Sequence, residues 1–501
     1  MNKKKKMLRL IESISFCVLL LLVVFAAERI VERKAGIEHL QPFFDHADEY
    51  DVLFVGDSMV VNAVLPLEMW EEYGVAGYNL ASYGNTIPVT FWTMINALDY
   101  ASPELMVIGI KDVEKSYKLS GSSGDLHTAF DGYPLSANKI RAIEDLTDDP
   151  YAVDDDGVRY ADMKWEYYFT LGKYHDRWSD LSENDFSPEM NVQAGGNMLV
   201  GVDVPVDYEL IDEWDAAEAY SIGFDYLRKM IEECQTRGIE VLLVHMPYPA
   251  SEKAQRNANA VIGIAEEYGV EYIDFVSLDH VADYATDCYD PSAHLNASGA
   301  KKVSDYLGRF MEDHYDLPDR RSDSNYGYWW SMYDRYIDHK RAYVKIQTQL
   351  HKFLVLLHDK NFSVVAAVEP GAPVYEDDML YTLMHNVVRE HVFEEDAYMK
   401  WSNSLFPLAG FDEAAYIDGV YLLAADRKQG TVLEWLQSEG SLHEQLSFGR
   451  LDCEANETTG SSVSVSLSSG KVWKPDLADE HTVHFLVVDD RDGEMIGEFS
   501  F

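Results

Sequence analysis

Between residues 50 and 316, short unbroken apolar runs alternate with longer stretches whose apolar positions recur at helical spacing. The runs fall at 52–55, 77–80, 105–110, 239–245 and 270–275. Continuous apolar runs of this length suit strands buried on both faces. The stretches between them predict helices over 66–73, 89–100, 216–237 and 252–268. A last helix is predicted to begin near Ala300, capped by Asn296 or Ser298. Strands alternating with helices predict an α/β fold with a parallel sheet and crossover connections.

The rhythm breaks over 113–212. Polar, aromatic and turn-forming residues prevail there, as in Gly121-Ser-Ser-Gly and Thr147-Asp-Asp-Pro. This stretch reads as an insertion over the active-site end of the sheet. A polar and aromatic linker follows Asp316, then a helix over 336–358. Beyond it, β-like runs at 363–368, 419–425, 462–466 and 482–489 are separated by turns such as Gly460 and Ser468-Ser-Gly. They predict an antiparallel, β-rich module over 361–501.

The N-terminus follows another pattern. Lys3, Lys4, Lys5, Lys6 and Arg9 precede an apolar run that is densest from Ile14 to Ala27. Counted from Met7, it has about the 20 residues that a bilayer-spanning helix needs. The lysines predict a cytoplasmic N-terminus, with everything after Ala27 outside. Residues 28–45 then read as a juxtamembrane helix or linker. A cleaved signal peptide is the rival reading, because the dense apolar core is short. The lack of a clear small-x-small cleavage site favours an uncleaved anchor.

Composition narrows the field further. Of 501 residues, 87 are acidic and 41 basic, a formal net charge of −46 that argues against nucleic acid as a partner. The 47% hydrophobic content allows sizeable cores and about two to three domains. Cys17, Cys234, Cys288 and Cys453 lack metal-ligand spacing, so neither a zinc site nor a disulfide framework is expected. No cofactor is expected.

The chemistry is carried by DVLFVGDSM, residues 51–59. A strand ending in Gly56-Asp57-Ser58 lifts a hydroxyl to the carboxyl end of a sheet, where open α/β sheets keep their chemistry. A serine nucleophile needs an imidazole to take its proton and a third group to orient that imidazole. His294 follows the last sheet strand, and Asp290 lies four residues before it. Taken alone, Asp290-Pro291 is a turn and His294 a helix-entry residue.

With these motifs, the chain resembles the SGNH (GDSL-type) hydrolase and acyltransferase superfamily over roughly 51–316. The first motif is similar to Gly56-Asp57-Ser58-Met59, the second to Gly84 in SYGNT, and the last to Asp290 and His294 in DPSAHLNASGAKKV. The resemblance implies a three-layer αβα domain with Ser58 as nucleophile, His294 as proton carrier and Asp290 as its orienter. Two departures stand out. The family places Asp three residues before His, whereas here the gap is four. Either the loop bulges by one residue, Asp287 substitutes, or a Ser58–His294 dyad suffices. The family's asparagine after the third strand is also missing from Gly109-Ile-Lys-Asp112. The oxyanion hole would then be the N–H groups of Ser58 and Gly84, with the Asn85 side chain replacing the missing amide.

The resemblance is to membrane-anchored, cell-surface members, such as the D-alanyl transfer protein of teichoic acid synthesis and the alginate O-acetyltransferases. It implies a serine esterase or O-acyltransferase acting on acyl esters of a surface glycan, beside a multi-pass membrane O-acyltransferase. The rival is a non-catalytic surface scaffold. Val483 to Phe501 and the SSVSVSLSSGK strand before it resemble the interleukin-like (ILEI) domain, which implies a binding or structural module. His127 and His175 are candidates to line the substrate cleft, because binding residues favour loops. His245 reads as a satisfied, partly buried histidine. Trp165, Tyr167, Tyr168 and Trp178 read as the insertion's own small core in preference to a sugar-stacking surface.

Overall fold

The computed structural model describes residues 3–205, 208–278, 280–369, 372, 377–388, 420–437, 439–456, 460–477 and 482–501. Helix α1, Lys3–Val31, contains a stretch of 27 residues, Lys5–Val31, long and apolar enough to cross a membrane. Helix α2, Ala35–Asp45, buries Leu40 and Phe43. Phe43 stacks on Tyr50 with ring centroids 5.6 Å apart. Of the two readings of residues 28–45, helix or linker, the structure has the helix, and it packs into the body.

A five-stranded parallel sheet follows. Its strands are β1 (Val52–Val55), β2 (Gly77–Asn79), β3 (Leu105–Gly109), β4 (Glu240–His245) and β5 (Glu271–Asp274), in the order β2-β1-β3-β4-β5. Strands β1 to β3 are wholly buried because helices cover both faces, which is why they read as unbroken apolar runs. The chain leaves β1 to one side for β2 and to the other for β3. The carboxyl ends of β1 and β3 thus flank the switch-point crevice of an open α/β sheet.

Helices α3 (Ser58–Ala63), α4 (Pro66–Tyr73) and α5 (Ile87–Ala97) connect the first three strands. The insertion supplies α6 (Ser123–Phe130), α7 (Ala137–Leu146), α8 (Tyr160–Tyr168), α9 (Leu171–Tyr174) and α10 (Glu183–Phe186). It has a small core of its own, with Phe130, Ile143, Tyr160 and Tyr167 at its centre. Tyr168 packs at the edge of that core, but Trp165 and Trp178 are exposed, so the core reading fails for both tryptophans. Helices α11 (Ile222–Arg237), α12 (Glu252–Tyr268) and α13 (Ala297–His314) complete the α/β layers. Helix α13 starts a turn before Ala300 because the Asn296 side chain accepts the N–H groups of Ser298 and Gly299.

The stretch after Asp316 is not a linker either. Arg320 clamps Asp51, just ahead of β1, through two hydrogen bonds of 3.0 and 2.7 Å. Trp329 is fully buried against Trp70. The single helix predicted over 336–358 is two, α14 (Gly327–Ile346) and α15 (Leu350–Leu357), parted where Gln347 turns extended.

The C-terminal strands are β6 (Phe362–Val368), β7 (Val420–Asp426), β8 (Thr431–Gln437), β9 (Gly440–Leu446), β10 (Gly449–Ala455), β11 (Ser462–Leu467), β12 (Val472–Trp473), β13 (Val483–Asp489) and β14 (Glu494–Ser500). They form two antiparallel sheets, β14-β13-β6-β7-β8 and β12-β11-β10-β9. One face of the larger sheet, with Val364, Ala366 and Phe485, joins the core of the α/β layers. Its other face packs Val365, Leu422 and Leu486 against the smaller sheet. Gly419, the first residue of one predicted run, lies outside the described residues.

Candidate active site

The turn after β1 has no room for a side chain at Gly56. A Cβ there would meet Val60 Cγ2 at 2.5 Å and Gly109 Cα at 3.4 Å. Asp57 caps the next helix, its Oδ1 accepting the Met59 N–H at 3.2 Å. Ser58 is therefore the first residue of α3, at the carboxyl end of the sheet.

His294 Nε2 lies 2.9 Å from Ser58 Oγ, and His294 Nδ1 lies 2.7 Å from Asp290 Oδ2. An ionised carboxylate only accepts, so this geometry puts the proton on Nδ1 and leaves Nε2 to accept from the Ser58 hydroxyl. The four-residue gap is taken up inside the loop. Ala293 adopts φ 60°, in the left-handed region. Asp290 Oδ1 accepts the N–H of Ser292 at 3.0 Å, and the Tyr289 N–H closes onto the His294 carbonyl at 2.7 Å. Asp287 points elsewhere. It is fully buried, 2.7 Å from Lys302 Nζ, and accepts from Ser298 Oγ. Of the two carboxylates weighed from the sequence, Asp290 is the one that meets His294.

The loop after β2 approaches from the other side. Gly84 has φ 71°, and a Cβ there would fall 2.0 Å from Asp125 Oδ2. The Asn85 amide donates to the Gly56 carbonyl at 3.2 Å, while its buried Oδ1 has no hydrogen-bond partner among the described residues. After β3, in Gly109-Ile-Lys-Asp112, Lys111 Nζ pairs with Asp57 Oδ2 at 3.2 Å and sits over the Tyr248 ring.

Sequence reasoning missed a polar triplet beside this line of residues. Asn62, one turn along α3, donates to the Ser58 carbonyl at 2.7 Å. Its Oδ1 accepts from the Tyr83 hydroxyl at 2.8 Å and from Asn197 at 3.3 Å. Asn197 also donates to Tyr83 Oη at 2.7 Å, and the Tyr83 ring lies 6.3 Å from that of His294. Tyr83 neighbours the Gly84 motif, which was the one available signal. Asn197 comes from the insertion and carried none. A groove of about 650 Å³ opens beside the site, with Lys111, Tyr208, Tyr248, Pro291 and Ser292 in its walls.

The two histidines proposed for the cleft lie elsewhere. His127 is buried inside the insertion, one helical turn from Asp131 (2.9 Å) and packed on Tyr167 and Tyr174. His175 bonds to the Gly172 carbonyl and faces Val24 and Glu28 of α1. Loop position in sequence did not bring either to Ser58. His245 is buried and satisfied, 2.8 Å from Asp274.

No family model matches the chain, and no curated protein matches it. Among solved structures, it is similar to a Bacteroides fragilis protein provisionally named an acylhydrolase. The match has 12% identity and a TM-score of 0.28, covering 56% of this chain and 98% of that one.

Proposed function

We propose that this chain is a membrane-anchored serine esterase or O-acyltransferase of the SGNH type, acting on acyl esters of a cell-surface glycan. The observation that carries the reading is the hydrogen-bonded line Asp290–His294–Ser58 at the carboxyl end of β1. Ser58 Oγ attacks the ester carbonyl carbon as its proton passes to His294 Nε2. Asp290 steadies the imidazolium that results. The tetrahedral oxyanion meets the N–H groups of Ser58 and Gly84. The Ser58 N–H has no acceptor within its own helix, because it opens the first turn. Each such donor supplies about 3 kcal/mol of transition-state stabilisation. Collapse expels the alcohol, which takes the proton from His294 and leaves an acyl ester on Ser58. A sugar hydroxyl or water then attacks that ester by the reverse proton path. The groove holding Lys111, Tyr208 and Tyr248 is the acceptor's place. In this reading α1 spans the membrane with its lysines inside and the body of the chain outside, next to a multi-pass membrane O-acyltransferase that supplies acyl groups.

The second reading, a non-catalytic scaffold, is favoured by one observation: the stretch after β3 has no asparagine to donate to the oxyanion, and its Lys111 is engaged with Asp57. One experiment separates the two. The full chain in detergent is treated with a serine-directed fluorophosphonate. The expected adduct maps to Ser58 by mass spectrometry and is abolished in Ser58→Ala. His294→Ala slows labelling by about 10³-fold or more, because such residues act as a unit. Folded wild-type protein that takes up no label overturns the enzyme reading.

A further inference from the structure

Helix α1 does not simply precede the body; it is built into it. Glu28 Oε1 accepts from Thr170 Oγ1 at 3.1 Å and from the Leu171 N–H at 3.3 Å. Glu32 accepts from the same threonine at 3.2 Å. Arg177 reaches back to the Val31 carbonyl at 2.5 Å while holding Asp185 at 3.0 Å. Lys34 donates to the Arg29 carbonyl at 2.6 Å. The α8–α10 part of the insertion thus forms a collar around the end of α1.

The collar sits at the level where the apolar surface of α1 ends. Phe25 is 58% exposed, whereas Val31 is fully buried by the body. At this level Val24 and Glu28 line a hollow of about 610 Å³ with Trp165, Phe169 and His175. Trp165, Phe169 and Trp178 are exposed by 52%, 57% and 54%, although each carries a large apolar ring. Large exposed apolar surface continuous with a membrane-crossing helix calls for a partner. Indole, with an apolar body and one polar N–H, suits the headgroup layer of a bilayer.

The orientation of the sheet follows from α2. Its first turn receives the Asn191 N–H on the Glu38 carbonyl at 3.0 Å. Asn191 also holds the Gly196 carbonyl, next to Asn197 and so beside Tyr83 and His294. The far end of α2 packs Phe44 on Tyr100, just ahead of β3. Helix α2 therefore runs antiparallel to the strands, and α1 joins the body at the end of the sheet that holds Ser58.

We propose that the α8–α9 collar and Trp178 lie in the headgroup layer of the bilayer that α1 spans, binding the lipid surface through Trp165, Phe169 and Trp178. The Ser58 end of the sheet is thereby held toward the membrane. The proposal rests on the anchor reading of α1. The occupant is lipid and not protein, because Trp165 and Phe169 share a hollow with Val24 on the membrane-crossing surface of α1 itself.

The full chain is tested in phosphatidylcholine vesicles at less than one chain per vesicle, which excludes a second copy or another protein. Cys17 is the exposed cysteine among the described residues, so the native chain takes a bimane label there. Quenching by lipids brominated in the acyl chains reports on the anchor. In a Cys17→Ser background, Trp165→Cys, Trp178→Cys and Glu271→Cys are each labelled; Glu271 is exposed at the opposite end of the sheet. Lipids spin-labelled at the headgroup are expected to quench positions 165 and 178 roughly twofold or more above position 271. Equal quenching at all three, with Cys17 quenched, overturns the proposal and leaves the anchor standing. An unquenched Cys17 overturns both.

Discussion

A methyl group at residue 293 occupies backbone space that L-residues avoid. Ala293 at φ 60° is what lets a four-residue spacing present Asp290 to His294. A left-handed conformation costs an L-residue about 1–2 kcal/mol, and a β-branched residue fits it least well. Ala293 is fully buried as well, so the two added methyls of Ala293→Val are expected to lower stability by about 1–3 kcal/mol in urea unfolding. It should also slow fluorophosphonate labelling of Ser58 by about 10²-fold, the effect of displacing the imidazole by about 1 Å. Ala293→Gly keeps the conformation without the clash and should stay within about 1 kcal/mol of wild type. Full labelling of the valine variant would show that the bulge does not position His294.

The element that ties the layers together is α14. Lys340, buried, sits between Glu68 of α4 and Asp359 beyond α15, with Asp359 Oδ2 at 2.5 Å. Burial by itself raises the Asp359 carboxyl, but the Lys340 ammonium and the Asn361 N–H outweigh it and hold the group at about 2. Tyr336 adds a hydrogen bond to Glu68 at 2.8 Å. Lys340→Met leaves two buried carboxylates facing each other. The expected loss is about 3–5 kcal/mol, read as a drop in the urea midpoint. Replacing all three charges together, with Glu68→Leu and Asp359→Leu, should recover most of it, since apolar substitutes for a buried ionic cluster are often neutral. A segment that merely linked two modules would lose about 0.5 kcal/mol or less.

At the scale of the molecule, His39 lies in α2, which joins α1 to the body, and makes that joint sensitive to acid. Its ring packs 6.0 Å from Tyr78, and its Nε2 is buried without a hydrogen-bond partner among the described residues. Burial pushes it down from 6.5 to about 4. Above pH 6.5 both folded and unfolded chains carry it neutral, and it has no effect. As pH falls from 6.5 to about 4, the unfolded chain takes up a proton that the folded chain refuses, so stability falls. The full shift amounts to about 3 kcal/mol. The difference in urea midpoint between wild type and His39→Leu should change over this interval and be flat above it. A pH-independent difference would place the proton elsewhere.

What the sequence determined by itself is what short-range pattern encodes. Strands buried on both faces must be unbroken apolar runs, so β1, β3 and β4 and the turn that presents Ser58 were legible. So was the late Asp-His loop, and so was α1, whose length and apolarity are local properties. Tertiary structure decided the rest. Asp287 and Asp290 are three residues apart, and only packing sent one to Lys302 and the other to His294. Asn197 reaches Asn62 across 135 residues, and Ser58 meets His294 across 236. Residues 28–45 and 317–335 look polar enough to be linkers, yet Phe43, Trp329 and Tyr333 are core because other elements close over them. The same closing buries His127 and leaves Trp165 and Trp178 outside. Periodicity says which face of an element is apolar; only the assembled layers say what that face meets.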